Sequence, residues 1–223
     1  MSAERPATRR EAVRLGALAA GAVAAAGLIR PLSAVAQISP ETERLRDFLA
    51  EAAGREQILA LAYAQAGQVQ GIDPELEQAL ELMRQQVQAH VNALSSAIET
   101  IGFDAPDAPS DPQDDGVFDD VDGIDSETAE ELKGLLASVG EERNERAFLK
   151  FLIDLNRTDV IPFYLERAPA IDSEDMRTTS AQITANLAQH VLVLTRLSGK
   201  SLAAALTGQP LVAAGGDSAS DEE

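Results

Sequence analysis

Residues 87–94 read Val-Gln-Ala-His-Val-Asn-Ala-Leu, and residues 187–194 read Leu-Ala-Gln-His-Val-Leu-Val-Leu. In both stretches the apolar side chains return at the first, fifth and eighth places. That spacing puts them on one face of an α-helix. The fourth place on the same face is a histidine, His90 in one and His190 in the other, and the chain has no others. The offset of 100 continues outward: Phe48-Leu49 answers to Phe148-Leu149, and Tyr63 to Phe163. Any two amphipathic helices slide into heptad agreement, so it is the paired histidines that give the echo its weight.

The helices extend in both directions from these two stretches. Ser39-Pro40-Glu41 opens the first with a capping residue, a first-turn proline and acids near the positive end of the helix dipole. Its apolar stripe runs Leu45, Leu49, Ala52, Glu56, Leu59, Tyr63, Ala66, and Gly71 is expected to stop it. Asp73-Pro74-Glu75 opens the second in the same way, with Leu76, Leu80, Met83, Val87, His90, Val91, Leu94 and Ile98 on its stripe and Gly102 after it. So short a turn makes the two antiparallel neighbours. Residues 103–125 break the pattern with nine Asp and three Pro. A shorter helix is predicted over Ser126–Val139. A long one follows from about Glu141 to Arg167, which Pro162 should kink or end. Asp172 or Ser173 caps a last long helix, and Gly199 stops it; a short helical turn is expected over Ser201–Leu206. With no alternating strand pattern, the prediction is an all-α bundle of two antiparallel hairpins joined by a long acidic crossover.

The N-terminus reads as an address. Arg9-Arg10 precede a run of small apolar residues free of charge from Gly16 to Ile29, and Ala34-Val35-Ala36 supplies a small-x-small cleavage site. A charged head, a short apolar middle and such an end make a signal peptide over residues 1–36. The paired arginines resemble the twin-arginine export signal, which implies engagement of export machinery through Arg9 and Arg10. The apolar run is short for a membrane span of ~20 residues, which favours cleavage over retention as an anchor. The predicted organisation is therefore a signal peptide (1–36), a bundle (37–206) and a disordered acidic tail (207–223). No other long apolar run remains to insert stably into a membrane, and the site of action is expected at the cell surface or outside the cell.

Composition narrows the function. Without cysteine there is no disulfide, thiolate metal site, cysteine nucleophile or lipid-modified cysteine. A net charge of −19 excludes nucleic acid as a partner, since its binding needs clustered Lys and Arg. The bases are 15 Arg and only 3 Lys, set against 17 Asp and 20 Glu. Such a surface repels itself at low ionic strength and is relieved by salt, as suits a salt-loving organism. An ordinary acidic protein from a high-GC genome would share the preference for Arg. The apolar share of 45% suffices for a core, and with 4% aromatic residues that core must be mostly aliphatic. Homo-oligomerisation stays open.

Two hairpins with a long crossover, and a histidine at the same level of the second and fourth long helices, resemble the ferritin-like superfamily over residues 40–198, in particular its exported prokaryotic members. The resemblance implies a di-metal site built from one Glu on each of the first and third helices and a Glu-x-x-His on each of the second and fourth. Carried over residue by residue, Glu56 and the two histidines are in place. Val87 and Leu187 stand three before the histidines where Glu is needed, and Asn156 answers to Glu56 on the third helix. The site is thus degenerate, and the resulting expectation is a non-catalytic protein without cofactor. The alternative is a mononuclear metal-binding protein or oxidoreductase holding one iron or other divalent ion on Glu56, His90 and His190. The same three residues also suit a polar cluster in which the acid pairs with an imidazolium.

Other motifs carry less. Gly199-Lys200-Ser201 looks like the end of a phosphate loop, but Leu194 replaces the first glycine and no strand precedes it. No Gly-x-Ser-x-Gly elbow exists to expose a nucleophilic serine. Asp120, Asp122, Asp125 and Glu131 are spaced like a calcium loop, yet Asp125 sits where that loop requires glycine.

Overall fold

The computed structural model describes residues 39–199. The signal peptide, the Ser201–Leu206 turn and the acidic tail lie outside them. Five α-helices follow in order: α1 (Pro40–Gly67), α2 (Pro74–Thr100), α3 (Ser126–Glu141), α4 (Glu145–Leu155) and α5 (Ile161–Arg167), and then α6 (Glu174–Leu197) makes a sixth. A π-helical turn, Asn156–Val160, joins α4 to α5, and a 3-10 turn, Ala168–Ala170, follows α5. No strand occurs among the described residues. No helix of theirs is long and apolar enough to cross a membrane.

Each long helix starts where a short polar side chain takes an otherwise unpaired backbone N–H. Ser39 accepts from Thr42, Asp73 from Glu75, Asp125 from Thr128, Asn144 from Ala147 and Ser173 from Met176. Two boundaries differ from the sequence reading. The first helix ends at Gly67 rather than at Gly71, which instead sits in the following turn with φ +81°. The third long helix is not continuous from Glu141. Glu142 is extended, and the Asn144 cap starts α4 afresh at Glu145. Pro162 neither ends nor sharply breaks the helix beyond: its missing N–H is absorbed by the π-helical turn, and α5 continues from Ile161.

α1 pairs along its length with α2, and α4 and α5 pack against both α1 and α6. α2 and α6 close the ring, so α1 and α6 face each other diagonally across the core. α3 lies outside the ring against α1. This outer helix and the crossover explain why every residue from Phe48 to Leu59 is buried, polar ones included. The crossover is thus only partly solvated: Phe118 is fully buried in the core and Gln57 Nε2 donates to Pro106 O at 2.7 Å. Two of its acids are used locally, Asp125 as the α3 cap and Asp119 in an ion pair with Lys133.

α3 comes this close because residue 54 has no side chain. A Cβ there would stand 2.9 Å from Leu132 Cδ1 and 3.4 Å from Phe118 Cε1. The methyl of Gly54→Ala meets the end of a leucine side chain, and about 1 kcal/mol of improved helix propensity offsets much of that crowding. Gly54→Val adds two more carbons and should cost about 2–3 kcal/mol through overpacking. Denaturant melts should therefore show Gly54→Ala near the wild type and Gly54→Val clearly below it; equal midpoints would refute the close contact between α1 and α3.

Candidate functional site

The centre of the bundle is a polar cluster enclosed by aliphatic layers. Glu56 on α1 is fully buried, as are His90 on α2 and His190 on α6, within 3% exposure. Each lies on the apolar stripe of its helix, so the periodicity that builds the core also buries the charge. Burying a carboxylate is tolerable only if donors replace its water. Both Glu56 oxygens have one: Tyr164 Oη donates to Oε1 at 3.1 Å, and His90 Nδ1 lies 3.0 Å from Oε2. The carboxylate requires His90 to carry its proton on Nδ1. The other nitrogen, Nε2, is buried without a hydrogen-bond partner.

His190 belongs to a second chain of bonds. Asn156 Nδ2 donates to Tyr63 Oη at 3.3 Å and to Leu152 O at 2.8 Å. Tyr63 Oη lies 3.1 Å from His190 Nδ1, and His190 Nε2 lies 2.7 Å from Gln86 Oε1. Gln86 Oε1 also accepts from Asn186 Nδ2 at 3.4 Å. One set of directions satisfies the series: Tyr63 donates to Nδ1, and a neutral His190 donates from Nε2 to Gln86. Burial pushes the His190 pKa from 6.5 to about 3. Burial likewise holds the hydroxyls of Tyr63 and Tyr164 well above their ordinary range, so both remain donors.

Of the three ligands expected from the sequence, the structure brings Glu56 and His90 into direct contact. Both His190 ring nitrogens are turned to Tyr63 and Gln86. The places where a di-metal site would need carboxylates are filled otherwise: Val87 and Leu187 are fully buried aliphatics, and Asn156 Nδ2 is spent on Leu152 and Tyr63. Among the described residues no three His, Asp or Glu side chains form a group able to hold a metal ion. These residues do not fit a pair of bridged metal ions.

Sequence reasoning missed Tyr164, Gln86 and a buried arginine, Arg55. For Gln86 a signal existed: the offset of 100 that pairs the histidines also pairs Gln86 with Asn186, and these two are bonded. Tyr164 was hidden because the same offset points to Phe163. The π-helical turn holds about one residue more than an α-turn. Positions after it are therefore rotated, so that Tyr164 faces Glu56 while Phe163 stacks on Phe48 at 5.5 Å.

A bundle of two helical hairpins with buried acid and imidazole at mid-height defines a class of helical proteins whose centre is built for polar groups. Residues 45–200 match the ferritin-like domain family, and the chain belongs to it. No curated protein and no solved structure matches the chain.

The His190 shift has a definite sign. A histidine with a folded pKa of about 3 against an ordinary 6.5 takes up a proton more readily unfolded than folded. Its contribution to stability is complete above pH 6.5 and is lost as pH falls towards 3. Between pH 6.5 and 5 the loss should approach about 2 kcal/mol for the wild type relative to His190→Leu. Parallel stability–pH profiles for the two proteins would contradict a neutral, buried His190.

Proposed function

We propose that this chain is an exported ferritin-like bundle protein whose di-metal site has been replaced by a closed hydrogen-bonded core, and that it acts without catalysis at the cell surface or outside the cell. The observation that carries the reading is the pair Val87 and Leu187, both fully buried three residues before the histidines. Two bridged ions need several anionic oxygens, and Glu56 alone offers its carboxylate at this level. Its oxygens are already satisfied by Tyr164 and His90. Support for export is the Arg9-Arg10 pair, the apolar run and Ala34-Val35-Ala36.

A second reading has one observation in its favour. The bare His90 Nε2 is a buried nitrogen without a partner, the kind of atom a single divalent ion could occupy. It would have to draw His190 from Tyr63 and Gln86 and share Glu56 with Tyr164.

One preparation tests both parts. Protein secreted by its own cells should begin at Gln37 by mass spectrometry and carry only background metal after growth with added iron. His90→Ala should then lower stability, by about 3–5 kcal/mol if it strands the Glu56 charge, without changing metal content. An intact Met1 end in the secreted fraction would refute cleavage before Gln37, and protein retained wholly inside the cells would refute export. Stoichiometric metal lost in Glu56→Ala or His90→Ala would refute the closed core.

A further inference from the structure

A second set of charges, away from the centre, surrounds a cavity of about 480 Å³ where α1, α3 and α5 meet. Its wall carries six carboxylates and two guanidinium groups, a formal excess of four negative charges. Arg55 is the buried member, its side chain 5% exposed. Its Nη2 donates to Glu131 Oε2 at 2.8 Å and its Nε to Asp159 Oδ1 at 3.3 Å, while the guanidinium lies 4.5 Å over the Phe163 ring. These contacts fix the group but leave its third nitrogen idle. Nη1 is buried without a hydrogen-bond partner, with Glu51 Oε2 standing off at 3.8 Å. Asp159 Oδ2 is also buried without a partner. Arg55 and Asp159, which carry this buried donor and this buried acceptor, both line the cavity.

The two arginines do not balance the acids. Burial raises the carboxyl pKa of both Glu51 and Asp159 in spite of the guanidinium groups that lower them. Added positive charge here would be favourable. An inorganic ion is a poor candidate, because no three acids form a metal-binding group among the described residues. A plain anion would meet the excess negative charge. A neutral polyol would leave the acids uncompensated, and a simple alkylammonium would leave Arg55 Nη1 idle.

We propose that this cavity binds a small hydroxylated organic cation, an amino alcohol or amino sugar, with its ammonium group among Glu51 and Asp159 and a hydroxyl oxygen accepting from Arg55 Nη1. The volume falls within the range of ligand pockets, about 300–1,000 Å³, and leaves room for a six-membered amino sugar. This site does not rest on the reading of the bundle centre, since it uses a different face of α1.

Calorimetric titration of the mature protein with glucosamine, run beside glucose and cyclohexylamine, separates the requirements for charge and hydroxyl. Glucosamine should bind saturably, with both comparison compounds weaker by at least about tenfold. Asp159→Asn should weaken glucosamine by about tenfold or more. Arg167→Gln should act in the opposite direction. Arg167 is 54% exposed and pairs with the buried Glu51 at 2.5 Å, so its removal leaves that carboxylate short of a cation, which the ligand's ammonium group supplies. Melting curves check that each variant is folded, and Arg167→Gln decides the matter if Asp159→Asn is not. No saturable glucosamine binding to the wild type, equal binding of glucose or cyclohexylamine, or an Arg167→Gln affinity at or below the wild type would each overturn the assignment.

Discussion

A carboxylate at the centre of a helical bundle must be met by donors or by metal, and the burial of Glu56 is the constraint that organises this molecule. The answer lies in one hydroxyl and one imidazole. Tyr164 and His90 each give a hydrogen bond to one oxygen, and bonds of this charge-assisted kind are worth about 1.5–3 kcal/mol. Tyr164 can reach Glu56 only because the π-helical turn rotates α5. That turn in turn accommodates Pro162, whose nitrogen has no hydrogen to give to a regular helix. A local backbone irregularity and a buried charge thus depend on each other.

The second half of the core meets the same demand without a charge. Asn156 donates to Tyr63, and His190 is kept neutral between Tyr63 and Gln86. Each polar group has been given a neighbour of opposite hydrogen-bonding sense. Exceptions among the described residues include His90 Nε2, Asn156 Oδ1, Asn186 Oδ1 and Thr195 Oγ1, all buried without partners. Such atoms are expensive when they accumulate. The aliphatic Val87 and Leu187, both fully buried, stand beside this polar centre three residues before its histidines.

The helices were legible because their signals are local. Ser39-Pro40, Asp73-Pro74 and Ser173 mark starts that the backbone must satisfy wherever the chain goes, and the apolar stripes mark the faces. Glu56 and His90 could be paired across the first hairpin because a short turn and the 1.5 Å rise fix their heights. What depended on tertiary register was not legible. The π-helical turn has no clear sequence signature, so Tyr164 was hidden behind Phe163. Arg55 looks like a surface residue until α3 and the crossover cover that side of α1, which Gly54 permits. The break at Glu142–Asn144 was visible only in retrospect, since Asn caps a helix when the chain around it is extended.

The central claim is that protein donors, not metal, satisfy the middle of the bundle. The ¹⁵N resonances of the two imidazoles report on it most directly. The account predicts a neutral His190 protonated on Nε2, a His90 protonated on Nδ1, and no movement of either when zinc is added in excess to the mature protein. A His190 found protonated on both nitrogens at neutral pH, or ring nitrogens of His90 and His190 that shift together as zinc is titrated to one equivalent, would contradict it.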